Sequence, residues 1–133
     1  MSHIISFKTA KFDPSKEKAN PIKPVAGAGV LEWIRAALKD TPYTATLPTA
    51  KDTGWYMDVR REKASYLVGA SGRPEAGSAE VEWTVQIHSH RSFIDKLRGR
   101  NHMPTNDALA AIVLTLIRKD DAIKDVHTAM NAK

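Results

Sequence analysis

Apolar and polar residues alternate most regularly between Glu80 and His88. Val81, Trp83, Val85 and Ile87 fall on one side; Glu80, Glu82, Thr84, Gln86 and His88 fall on the other. A period of two predicts a β-strand with one dry face and one wet face. The same alternation sets Trp55, Met57 and Val59 against Tyr56, Asp58 and Arg60. Ala64 to Gly69 follows closely and completes a predicted hairpin. The turn has no Asn-Gly or Asp-Gly, so a four-residue loop over Arg60 to Lys63 is expected rather than a tight primed turn. That loop pairs Val59 with Ala64, Met57 with Tyr66 and Trp55 with Val68. Ser71 to Ser78 is rich in Gly, Ser and Pro and reads as a loop. Pairing across it matches Tyr66 with Trp83 and Val68 with Val81. All three strands then share one apolar face, where each buried side chain contributes about 1.5–3 kcal/mol.

That face needs a cover, and helical periodicity supplies two candidates. Val30, Leu31, Ile34, Ala37 and Leu38 recur at helical spacing between Val30 and Lys39, with Trp33 off the centre of the stripe. Asp40-Thr41-Pro42 ends that helix. Leu109, Ile112, Val113, Leu116 and Ile117 define a second helix ending near Lys119, with Thr105 as N-cap and Asp107 in the first turn. A short helix is expected over Ser92 to Arg98. Residues 3 to 8 read as a short strand with Ile5 and Phe7 on one face. Residues 11–25 hold four lysines and three prolines and read as an irregular linker. Tyr43 to Thr53 reads as a loop with room for a short edge strand at Thr44 to Leu47. Asp120 to Asp125 continues as a final turn or as a strand over Ile123 to His127, and residues 129–133 read as a frayed tail. Together these predict one α+β domain over residues 1–133: two layers, an antiparallel sheet of three to five strands, helices on one face.

Bulk properties change this picture little. The chain has 133 residues, 42% hydrophobic and 26% charged, which suits a single globular domain. No apolar run reaches the roughly 18–20 residues that span a bilayer, and the first residues lack a secretory pattern, so no membrane association is expected. Cysteine is absent, which removes disulfides and thiolate metal sites and fits a cytoplasmic setting. A net charge of +5 favours acidic partners, nucleic acid among them.

Candidate chemistry is sparse. Gly27-Ala28-Gly29 before a helix resembles a phosphate-cradling loop only in outline: Glu32 stands where a dinucleotide motif needs its third glycine, and the Walker lysine is missing. It reads as a plain helix start. His88 and His90 share a strand face, but no third ligand is evident, so no metal is expected. Asp58 and Glu82 could act with His88 in a small enzyme, although cross-strand charge pairing is the simpler role. A basic stretch, Arg91, Lys96, Arg98 and Arg100, suits phosphate contacts, yet only Tyr56 offers a stacking surface.

Asp52-Thr53-Gly54-Trp55-Tyr56, Tyr66-Leu67-Val68-Gly69 and Glu82-Trp83-Thr84-Val85 resemble a family of small uncharacterised bacterial α+β proteins, over Asp52 to Leu97. The resemblance implies a fold and a bacterial cytoplasmic setting, and no activity. The expected function is a non-enzymatic, protein-binding interaction module, monomeric or homodimeric, without cofactor or metal. Its expected binding surface is the wet sheet face with its basic rim: Tyr56, Asp58, Arg60, Glu82, Thr84, Gln86, His88 and Arg91. A nucleic-acid-associated protein is the first alternative and the small enzyme the second.

Overall fold

The computed structural model describes residues 2–12, 21–22, 26–51, 54–62, 64–74, 80–90 and 108–131. In chain order the elements are β1 (Ser2–Thr9), α1 (Ala28–Leu38), β2 (Thr44–Ala45), β3 (Thr49–Lys51), β4 (Gly54–Arg61), β5 (Ala64–Pro74), β6 (Val81–His90), α2 (Ala108–Lys119) and β7 (Ile123–Asn131). The strands form one seven-stranded sheet in the order β2-β4-β5-β6-β1-β7, and β3 pairs with β4 beside β2. Every pairing is antiparallel. The class is α+β as the pattern predicts, with more strands than the expected three to five. β1 matches the strand expected over residues 3–8, β2 and β7 fall where a strand is one of the options, and β3 lies in the stretch expected as a loop.

Alternation decides which face each strand buries. Trp55, Met57, Val59, Val68, Val81, Trp83, Val85, Ile87, Ile5 and Phe7 all lie on one side and are buried. Leu31, Ile34 and Leu38 of α1 and Leu109, Val113 and Ile117 of α2 close over them and are equally buried. Ile112, expected inward, is only partly covered. Trp33 is half-buried, as its place off the stripe implies, and its ring meets Phe12 edge-on at 5.3 Å. Phe12 in turn meets Trp83 at 5.9 Å, so the chain just after β1 seals the end of the core.

The register differs from expectation while the faces do not. Arg61 pairs with Ala64, which leaves two residues in the turn; Val59 faces Tyr66, Met57 faces Val68 and Trp55 faces Ala70. Glu62 takes φ 52°, a left-handed conformation that a tight turn requires, so the tight turn wins even without Asn-Gly. Next, Gly72 faces Trp83 and Val68 faces Ile87. Ser71–Pro74 therefore belongs to β5 instead of a loop. Each shift is by an even number of residues, and an even shift leaves every side chain on its original face.

β1 lies between β6 and β7, with Ile5 facing Val85 on one side and Thr128 on the other. β7 runs to Asn131, so residues 129–131 are paired strand and not a frayed tail. Thr9 pins the junction. Its buried hydroxyl donates to the Ala122 carbonyl at 2.6 Å and accepts from the Lys11 N–H at 3.0 Å. Gly27 has a similarly plain explanation. A Cβ there would stand 2.2 Å from the Ala70 carbonyl oxygen, so the start of α1 packs straight onto β5. The adjacent Ala26 carbonyl accepts from the Gly72 N–H at 2.8 Å. Gly27 serves close packing of helix on sheet. The expected short helix over 92–98, and Thr105 and Asp107, lie outside the described residues.

Candidate functional site

The sheet face opposite the helices is built from the polar half of each strand's alternation. Cross-strand pairing arranges it in rows. Tyr56, Gly69, Gln86, Ile4 and Ala129 make one row; Asp58, Leu67 and His88 make the next. Ser71, Thr84, Ser6 and His127 form a third, and Glu82, Lys8 and Lys124 a fourth. Arg60 faces Ser65 near the hairpin tip. Seven of the eight expected binding residues thus share this face: Tyr56, Asp58, Arg60, Glu82, Thr84, Gln86 and His88. Arg91, with the rest of the basic stretch, lies outside the described residues.

The middle of the face is partly apolar. Tyr56, Leu67 and Ile4 are half-buried there beside Thr84, Gln86 and His88, while Asp58, Arg60, Glu82 and Lys8 stand exposed around them. The Tyr56 ring lies across the β5 backbone. A Cβ at Gly69 would come within 2.6 Å of its Cε1 atom, so only glycine lets the ring lie that low. At the β4 edge the main chain is tied down too. The Thr46 N–H donates to the Asp58 carbonyl at 2.9 Å, and the Asp58 N–H donates to the Thr46 hydroxyl at 2.9 Å.

The three residues of the expected small enzyme are not brought together. Glu82 and His88 are six residues apart on β6, about 20 Å along the strand. Asp58 lies in the row of His88 but two strands away, about 10 Å. Among the described residues no group of three or more His, Asp or Glu side chains is placed to hold a metal ion.

A cleft appears where the sequence reading looked for none. It has a volume of about 230 Å³ and is lined by Ser6, Phe7, Lys8, Glu82, Asp125 and His127. The Phe7 side chain is buried on the helix side, so its main chain lines the cleft. The cause is a β-bulge. Ser6 pairs with His127 and Lys8 with Lys124, so β7 spends one residue more than β1 over this step. Asp125 absorbs it with φ 53°. Beside the cleft, Lys124 Nζ meets Glu80 at 2.8 Å. The hydrogen bond and charge of Glu80, with a further contribution from Asp125, hold the Lys124 ammonium's pKa above the usual lysine range. Bulge and cleft depend on β1 meeting β7 across more than a hundred residues of chain, which local periodicity does not encode. The one signal in the sequence was the charged cluster Lys124-Asp125 interrupting a strand pattern. No protein-family model, curated protein or solved structure matches this chain.

Proposed function

We propose that the protein is a non-enzymatic interaction module that binds a protein partner through the sheet face opposite α1 and α2. The observation that carries this reading is the make-up of that face: a half-buried centre of Tyr56, Leu67 and Ile4 inside a rim of Asp58, Arg60, Glu82 and Lys8. An apolar, aromatic-bearing centre with a charged rim is how protein interfaces are built. The cleft beside it suits recognition of a polar group at the rim. Its Lys8, Glu82, Asp125 and His127 side chains are all exposed and can meet a polar group arriving from solvent. The mixed charge of the face argues against a phosphate-tracking surface, which gathers one sign. A chain without cysteine fits a reducing bacterial cytoplasm as the place of work.

The test is a pair of variants on opposite faces. Tyr56→Ala with Leu67→Glu should abolish recovery of a specific partner from native cells, while Glu32→Lys on the exposed side of α1 leaves it intact. Equal recovery by both would end the proposal. A gel shift at low salt that fades as salt rises would replace it with nucleic-acid association.

A further inference from the structure

The two edges of the sheet are not equivalent. At one edge the outer strand is broken into β2 and β3, of two and three residues, with Pro48 between them. Proline offers no N–H, and a short, interrupted strand is a poor template for another chain. At the other edge β7 runs nine residues and has no outer partner among the described residues. Its first part is guarded by Lys124, Asp125 and the bulge, the same devices that natural sheets use to discourage pairing. The guard stops there. Val126-His127-Thr128-Ala129-Met130-Asn131 contains no Lys, Arg, Asp, Glu, Pro or Gly. Six residues is the ordinary length of a strand.

We propose that this stretch pairs with the same stretch of a second copy of the chain, as an antiparallel β7–β7 ladder about a twofold axis normal to the sheet. Such an axis keeps each side chain on its own face, so facing residues must be separated by an even number of positions. The register centred on the unguarded run sets Thr128 against Thr128. His127 then faces Ala129, Val126 faces position 130, and Asp125 faces position 131, an asparagine. No charge meets a like charge, and a facing Thr–Thr pair is a favourable cross-strand contact. The blunted β2/β3 edge cannot continue the ladder, so association closes at two copies. The dimer carries side by side the two sheet faces that lie opposite α1 and α2. Each bulge cleft then lies next to the twofold seam, with the second copy's Ala129 across from its own His127.

Light-scattering mass on the full chain reads the outcome directly. The mass should rise from 14.7 kDa toward twice that value as concentration increases to about 0.5 mM. Thr128 is exposed, so Thr128→Lys should fold with unchanged circular dichroism while two facing ammoniums weaken the dimer at least about tenfold. Thr128→Cys gives the chain its only thiol. Facing Cα atoms about 4.5–5.5 Å apart lie within disulfide range, so mild oxidation should give a covalent dimer. Leu47→Cys, exposed at the opposite edge, should give no covalent dimer. A mass of 14.7 kDa at every concentration overturns the proposal. So does a dimer that ignores Thr128→Lys and fails to cross-link through Thr128→Cys.

Discussion

Two glycines show how far a single atom matters. A Cβ on Gly27 would strike the Ala70 carbonyl, a main-chain atom fixed in the middle of the sheet. A Cβ on Gly69 would strike the Tyr56 ring, which lies on the open side and can swing away. Gly27→Ala is therefore expected to cost about 2–3 kcal/mol, and Gly69→Ala nearer 1 kcal/mol. Urea denaturation of both variants checks the ranking, and the reverse order would show that the Tyr56 ring is held firmly. The indole nitrogens of Trp55 and Trp83 are buried without an acceptor among the described residues. An unsatisfied N–H costs about 1–3 kcal/mol, so these rings are kept for their apolar bulk in spite of it. The sequence announced that role, since both indoles fall on the apolar side of an alternating strand. It could not announce the left-handed backbone of Glu62 and Asp125, because neither residue type demands it.

Among elements, the corner between α2 and β7 is tied to the chain after β1 by a charged hydrogen bond. The Asp120 carboxylate accepts from Lys11 Nζ and from the Ala122 N–H, the latter at 2.9 Å. Lys11 also sits 4.7 Å from the Trp33 ring centre. The Lys11 hydrogen bond first, and the Ala122 N–H next, hold the Asp120 carboxyl below the usual carboxylate range. A lowered pKa in the folded state means the unfolded chain binds the proton more readily. The contribution is therefore fully present above the unfolded value, near pH 3.9, and is lost as pH falls through the folded value. The pair is close to solvent, so it is worth no more than about 1 kcal/mol. Asp120→Asn should lower stability at pH 7 by that amount and flatten the fall in stability below about pH 4, as read from thermal melts across pH. Elements with strong local periodicity, α1, α2, β4 and β6, were legible in the sequence to within a few residues. The hairpin register was not, because the pattern fixes parity and leaves even shifts open. β2 was legible only as room for an edge strand within Thr44 to Leu47, and β3 was not legible, since a two- or three-residue strand is too brief to show a period.

At the scale of the molecule, the sheet face opposite α1 and α2 was legible and its neighbours were not. Seven of the eight expected surface residues fell on one face because each belongs to a strand whose alternation is visible. The cleft was missed because it is made by β1, β6 and β7, drawn from opposite ends of the chain. The position of β1 between β6 and β7 has a consequence for how the protein comes into being. β4, β5 and β6 are joined by neighbouring hairpins and can pair as soon as they exist. β1 has no partner until residues 81–90 are available, and no second partner until residues 123–131 follow. Pairings this distant are slow because loop closure comes before any contact is gained. Pulse-labelled hydrogen exchange during refolding should protect amides of β4–β6 first and those of β1 last; early protection of β1 would contradict this order. During synthesis the ribosome releases Ile5 and Phe7 well before β6 and β7, the two strands that flank them in the sheet. For that interval the nascent chain carries an apolar strand without its neighbours, the kind of sequence that chaperones exist to shield.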